Sequence, residues 1–93
     1  MTRTYTLQYD LYNKTGPNYD RLISAIKQLG TTWAKPLESC IAIVTTMTAA
    51  QIRDTLKPYL DPNDRLLVTQ LGLDWASLNL AKEVNEWFNK NVG

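Results

Sequence analysis

The sequence predicts a single α+β domain, and three observations support this. Residues 4–11 alternate between apolar and polar side chains, which is typical of a strand with one buried face. Residues 40–46 are apolar on both faces, as expected of a central strand. Two further segments, 18–29 and 80–88, carry apolar residues at helical spacing. A chain of 93 residues accommodates one domain, spanning 1–93, and leaves no room for a second core.

The first half of the chain is predicted to form a strand, a helix and a short strand. In the first strand the apolar positions share one face, and the polar positions Thr4, Thr6, Gln8 and Asp10 share the other. The turn cluster 13–17 follows, and then a helix that Asn18 caps and Gly30 ends. The second strand covers 31–35, and Pro36 places it at a sheet edge or terminates it.

The second half begins with a hairpin through residues 37–39 into the apolar strand 40–46. Thr48 and Gln51 have the spacing of a capping box, which predicts a helix with Ile52, Leu56, Tyr59 and Leu60 as its buried stripe. Pro58 is expected to end or distort this helix near Lys57. The turn 61–64, the strand 65–71 and a C-terminal helix with the stripe Leu80, Ala81, Val84, Trp87 and Phe88 complete the chain.

This order of elements is that of a ferredoxin-like βαββαβ core, residues 1–71, with a C-terminal helical extension, residues 72–93. Right-handed crossovers would place the first strand and the strand 40–46 in the middle of an antiparallel sheet, with the first two helices on one face. The opposite face must then be polar or covered. We expect it to be where the domain meets RNA, a ligand or a second copy.

Composition excludes several classes of function. The chain has no histidine, which removes the commonest general base and transition-metal ligand, and its single cysteine, Cys40, cannot form an intramolecular disulfide. The net charge of +1 lacks the basic excess typical of proteins that bind nucleic acid mainly through phosphates. Residues 1–5 lack the apolar core of a signal peptide, and no apolar run approaches the roughly 20 residues of a membrane span. These features predict a cytoplasmic protein without a membrane partner.

Asp10 is the strongest candidate for chemistry. It ends a predicted central strand on the polar face, just before a turn. In a two-fold dimer packed through that face, two copies of Asp10 could bind one divalent cation such as Mg²⁺, which can activate water against a phosphodiester. The alternative is that Asp10 accepts hydrogen bonds from backbone amides at the turn, a frequent function of aspartate. Glu38, in the hairpin, could supply a second carboxylate, but the sequence does not place it near Asp10.

Aromatic and basic side chains are predicted to have structural functions. Tyr5 and Tyr9 could stack on RNA bases, but the neighbouring central strand adds no aromatic residue, so core or dimer packing is favoured. Trp87 should lie in the core, and Cys40 should be an inert buried thiol. The remaining candidates are two interface aromatics, Trp33 and Trp75, and four solvated basic residues on helix surfaces, Arg21, Lys27, Arg53 and Lys57.

Several segments resemble a known superfamily. Residues 9–11, at the end of a strand that precedes a glycine-terminated helix, resemble the CRISPR-associated protein 2 family. The related SinR-like proteins are more similar, over nearly the whole chain, and the matching segments are 5–11, 33–39, 52–54, 63–66 and 84–87. The VapD ribonuclease toxins are more distant relatives of similar build.

The resemblance implies a ferredoxin-like homodimer with a nucleic-acid-related or nucleotide-related function. In the CRISPR-associated family, the aspartate that matches Asp10 is implicated in binding a divalent metal between protomers. This chain departs from that family in its first helix, where paired basic residues are reduced to Arg21, and in its hairpin, 38–41. Because only one catalytic side chain can be named, we expect binding rather than catalysis. The alternative is a Mg²⁺-dependent RNA or DNA endonuclease that uses Asp10 from both subunits.

Overall fold

The computed structural model describes residues 2–12 and 17–92. Its elements are β1 (Arg3–Asp10), α1 (Pro17–Leu29), β2 (Thr32–Leu37), β3 (Cys40–Thr45), α2 (Ala49–Leu56), a 3₁₀ turn (Lys57–Tyr59), β4 (Arg65–Gln70) and α3 (Lys82–Asn91). The four strands form an antiparallel sheet in the order β2-β3-β1-β4. The chain is therefore an α+β domain, with β1 and β3 in the middle of the sheet as expected.

One face of the sheet packs against α1 and α2, and we call it the α1/α2 face. Tyr5, Leu7 and Tyr9 of β1 point to this face, as do Ile41 and Ile43 of β3. They join the apolar side of α1, at Leu22 and Ile26, and that of α2, at Ile52 and Leu56. All of these side chains are buried, so the predicted period-two and helical patterns identify the main core.

The opposite face is covered in part by α3, and we call it the α3 face. A second apolar cluster forms there from Ala42, Phe88 and Val92, with Trp75 and Trp87 packed against it. Two hydrogen bonds anchor the helix: Thr4 Oγ1 donates to the Asn91 carbonyl over 2.6 Å, and Trp87 Nε1 donates to Thr32 Oγ1 over 3.0 Å. This face is therefore not simply an open polar surface, because α3 covers one part of it.

Local signals set most of the element boundaries. The capping box of α2 is present, because Gln51 N–H donates to Thr48 Oγ1 and Thr48 N–H donates to the Gln51 side chain. Helix α2 ends at Leu56, and Pro58 lies within the 3₁₀ turn, as predicted. Strand β2 is an edge strand and includes Pro36, with an irregular register between Ala34 and Leu37.

Some expected details are wrong. Helix α1 begins at Pro17, which puts Asn18 inside the helix rather than before it. Four of the five residues of the predicted turn 13–17 lie outside the described residues. Tyr59, predicted to belong to the buried stripe of α2, is exposed, because the 3₁₀ turn rotates it away from the core. Leu80 and Ala81 precede α3 rather than belonging to it.

Gly30 follows α1 as expected, and a Cβ there would lie 2.7 Å from the Val44 carbonyl oxygen.

Within the described residues, no helix combines the length and apolar character that crossing a membrane requires.

Candidate functional site

A groove lies on the α3 face, beside the part of the sheet that α3 covers. Its volume is about 340 Å³, within the range of small-ligand sites. One wall is the sheet and the other is the segment 71–81, which joins β4 to α3 and which we call the strap. The groove is lined by Thr6, Gln8, Pro36, Leu37, Cys40, Leu71, Trp75, Ala76, Ser77, Leu78, Leu80 and Phe88.

The strap supplies the apolar wall of the groove. Trp75 packs against Phe88 with ring centroids 5.1 Å apart, which ties the strap to α3. Leu71 continues from β4, where its N–H donates to the Thr4 carbonyl over 2.8 Å. Leu78, near the Asn79 position of positive φ, leaves 83% of its surface exposed. Leu37, which also lines the groove, leaves 61% of its surface exposed, and exposed apolar side chains grouped in this way are typical of a binding surface.

The sheet supplies the polar groups of the groove. Gln8 is exposed, and its Nε2 donates to Thr6 Oγ1 over 3.2 Å. Thr6 in turn donates to the Thr69 carbonyl at 3.5 Å. A glutamine amide has two N–H donors and an oxygen that accepts, so this bond leaves capacity for a ligand. The groove thus combines an apolar wall with an amide that can both donate and accept hydrogen bonds.

Cys40 lies at the sheet side of the groove and is buried, as the sequence predicts. Burial raises the pKa of its thiol, because the thiolate loses solvation. The nucleophilic form is therefore disfavoured at neutral pH. Cys40 contributes to the shape of the groove rather than to chemistry.

Asp10 is the last residue of β1 and is exposed. It points to the α3 face two residues beyond Gln8, which places it about 7 Å further along the strand. Its partner in the register is Arg65 on β4, so residues of opposite charge occupy facing positions on this side of the sheet, without an ion pair within 4.0 Å between these two described residues. Asp10 thus lies at the end of the groove face without lining the groove.

Asp64 binds backbone amides beside the end of β1, whereas the turn amides predicted to bond Asp10, in residues 13–16, lie outside the described residues. One Asp64 oxygen accepts from Tyr12 N–H at 2.9 Å, and the other accepts from Asp61 N–H at 2.8 Å. These bonds tie the chain after β1 to the turn before β4. Asp64 belongs to the predicted turn cluster 61–64, so its hydrogen bonds have a local sequence signal.

Glu38 lies at the same end of the sheet as Asp10. Tyr9 N–H donates to the Ser39 carbonyl at 3.1 Å, and Tyr9 Oη donates to the Glu38 carbonyl at 3.3 Å. The hairpin tip therefore lies beside the residue that precedes Asp10, which the sequence alone did not indicate. Among the residues that the structure describes, no three acidic or cysteine side chains group into a metal site. One chain's donors here do not fit a complete Mg²⁺ site.

Tyr5 and Tyr9 are core residues, with 2% and 5% of their surface exposed. Their rings face α1 and α2. The alternative that they stack on RNA bases is therefore wrong, and the prediction of core packing is confirmed. Burial, together with Tyr19, raises the pKa of Tyr9 well above its ordinary value. The sheet face that carries these aromatics is therefore closed to a ligand.

The other candidates divide between packing and surface. Trp87 packs in the second cluster as expected, while Trp33 is partly exposed under the Lys27 ammonium, 4.1 Å from its ring centroid. Arg53 is exposed and pairs with Asp54 at 2.9 Å. Arg21 and Lys57 are also exposed, as predicted. The groove itself was not predicted, although the large apolar strap residues that line it, Leu71, Trp75, Leu78 and Leu80, could have indicated it.

No family model, curated protein or solved structure matches this chain.

Proposed function

We propose that this protein is a ferredoxin-like homodimeric binding module of the CRISPR-associated protein 2-like superfamily, similar to the SinR-like proteins. Its function is to bind a nucleotide or a single-stranded nucleic acid in the groove of the α3 face, rather than to cleave it. The order of the elements and the strand order β2-β3-β1-β4 support the ferredoxin-like assignment. A cytoplasmic location is part of the same proposal.

The observation that carries the proposal is the composition of the groove. A nucleobase is a flat ring that gains from an apolar wall and from hydrogen bonds at its edge. The strap offers Trp75 and Leu78 as the wall, and the sheet offers the Gln8 amide as the edge partner. Because the net charge is only +1, recognition should depend on the base more than on the phosphate.

Tryptophan fluorescence tests this proposal. Mononucleotides, single-stranded RNA and single-stranded DNA of about ten nucleotides are each titrated into the protein, which separates free nucleotide from polymer as the source of the ligand. We expect quenching that persists in Trp33→Phe and disappears in Trp75→Phe, because Trp75 is the one of the three tryptophans that lines the groove.

Gln8→Ala and Gln28→Ala are matched variants, since both glutamines are exposed and only Gln8 borders the groove. Loss of one hydrogen bond should raise the dissociation constant about threefold to tenfold for Gln8→Ala and leave Gln28→Ala unchanged. The proposal is wrong if no probe quenches the fluorescence at millimolar concentration, or if both variants bind equally to the wild type.

The alternative is a Mg²⁺-dependent endonuclease, which the exposure of Asp10 on the groove face favours. One chain offers Asp10 and, at the same end, Glu38, so a second subunit would have to complete the ligand set. Labelled RNA and DNA, single- and double-stranded, are incubated with Mg²⁺, Mn²⁺ or EDTA beside Asp10→Asn. Metal-dependent cleavage that Asp10→Asn abolishes would establish the nuclease, whereas equal absence of cleavage favours the binding module.

A further inference from the structure

Strand β4 forms one edge of the sheet, and its outward hydrogen-bonding groups can be identified from the register. Leu71 N–H donates to the Thr4 carbonyl, and Thr4 and Leu71 occupy the next position of the β1–β4 pairing. In an antiparallel pair, hydrogen-bonded positions alternate, so Arg65, Leu67 and Thr69 direct their backbone groups toward β1. The N–H and C=O groups of Leu66, Val68 and Gln70 therefore point away from the sheet.

The two edges of the sheet differ in their protection. Proteins usually block exposed edges with proline, lysine or a bulge. The β2 edge has all three features: Lys35, Pro36 and the irregular register between Ala34 and Leu37. The register of β4 is regular over all six of its residues, and its one charged residue, Arg65, lies at the end.

The surface beside β4 has room for another strand. A groove of about 390 Å³ separates β4 from α2 and is lined by Ala49, Ala50, Arg53, Leu66, Leu67 and Val68. The alanines at the start of α2 are small, which leaves space for the side chains of an added strand. Leu67, on the α3 face of the same edge, leaves 61% of its surface exposed.

We propose that a second copy of this chain pairs with this edge, so that two β4 strands run antiparallel about a two-fold axis at Val68 and join two sheets into one of eight strands. In this register Val68 of one chain faces Val68 of the second copy, and Leu66 of each chain faces Gln70 of the other. All three outward residues of each chain are then used, which gives six hydrogen bonds across the interface. The two Arg65 side chains lie about 20 Å apart, so their charges do not oppose pairing.

A register centred on Leu67 is less favourable. It would pair Leu66 with Val68 and would place Gln70 opposite Asp64, whose N–H already donates to the Asp61 carbonyl over 3.0 Å. Only four hydrogen bonds would then form freely. The hydrogen-bonding pattern of the edge therefore selects Val68 as the centre.

This inference rests on the homodimer of the proposed function and changes its geometry. A two-fold axis through paired edge strands keeps the same face of both sheets on the same side. The two Gln8–Trp75 grooves would then open in one direction, where a single polynucleotide strand can reach both. A dimer packed through the α3 faces would instead turn the grooves toward each other.

Light scattering measures the mass of the full wild-type chain at a chosen concentration of about 10–100 µM. Two variants of the β4 edge are measured in the same way. Gln70→Pro removes an outward N–H without removing a bond to β1, and Ala50→Glu fills the groove at an exposed helix position that favours negative charge. We expect a wild-type dimer and at least a tenfold rise in its dissociation constant for each variant. Leu78→Asp, on the α3 face, should leave the dimer intact.

A monomeric wild type would overturn both this inference and the proposed homodimer. A dimer that Leu78→Asp dissociates while the edge variants keep it would overturn the edge pairing alone. Circular dichroism confirms that each variant is folded before its mass is interpreted.

Cysteine cross-linking reads the register directly in a Cys40→Ala background. Leu67 of one copy should face Thr69 of the other at a non-hydrogen-bonded position, with Cα atoms about 4.5 Å apart. Mixing Leu67→Cys and Thr69→Cys chains should therefore give a mixed disulfide dimer under mild oxidation. Efficient dimers from Leu67→Cys alone, or no cross-link in the mixture, would overturn the Val68-centred register.

Discussion

Replacing Phe88 with alanine tests whether α3 belongs to the fold rather than lying loosely against it. Phe88 has 6% of its surface exposed and packs on Ala42 of the central strand. It also contacts both Trp75 and Trp87, with ring centroids 5.1 and 5.5 Å apart. Its ring therefore holds together the strap, α3 and the sheet.

The magnitude follows from these contacts. Truncating a buried phenylalanine to alanine typically costs about 3–5 kcal/mol. Because Trp75 and Trp87 are only half-buried and can relax into the space, we expect the lower end, about 3 kcal/mol. A chain of this length has a total stability of roughly 5–14 kcal/mol, so this loss is a large fraction.

Urea unfolding followed by circular dichroism measures the effect. With a slope of about 1.5 kcal/mol/M, the midpoint should fall by about 2 M without a change of slope. Phe88→Leu keeps most of the volume and should cost about 1 kcal/mol, and Lys90→Ala, exposed on the same helix, should cost less than about 0.5 kcal/mol. A loss below about 1 kcal/mol for Phe88→Ala would refute the docking of α3.

Three further predictions concern other parts of the chain. Thr48→Ala removes the acceptor for Gln51 N–H and should lower the free energy of unfolding by about 1 kcal/mol in urea. Stability should fall as pH rises above about 10, because the folded state raises the pKa of Tyr9 and the unfolded state releases that proton first. Tyr9→Phe should flatten this decline, and an unchanged slope would contradict the assignment. Cys40 should react with a thiol reagent at pH 8 much more slowly in the folded chain than in urea, since it is buried and its pKa is raised; equal rates would contradict its burial.

Elements whose signals are local could be predicted from the sequence. The alternation in β1, the doubly apolar β3 and the capping box at Thr48 depend on neighbours within a few residues, and each has the expected structure. The two predictions made from prolines are also confirmed. Pro36 lies on an edge strand, and Pro58 lies in the 3₁₀ turn that follows α2.

The candidate site could not be predicted from the sequence, because it forms only where the strap and α3 pack back against the sheet. The polar positions Thr4 and Thr6 are buried, since α3 and the strap cover that side of β1. The apolar alternation at residues 71, 73 and 75 does not by itself indicate that this segment crosses the sheet. Asp10 was located correctly at a strand end, but its cross-strand partner Arg65 emerges only from the register.

Nuclear magnetic resonance of the ¹⁵N-labelled protein tests the central claim most directly, because it locates a ligand without a mutation. A mononucleotide or a short single-stranded RNA that quenches the tryptophan fluorescence is titrated into the protein, and the amide resonances are followed. We predict the largest changes at Gln8, Leu71, Ala76 and Ser77, around the groove, with small changes on α1. Changes centred on α1 and α2, or none at millimolar ligand, would contradict the assignment of the groove as the binding site.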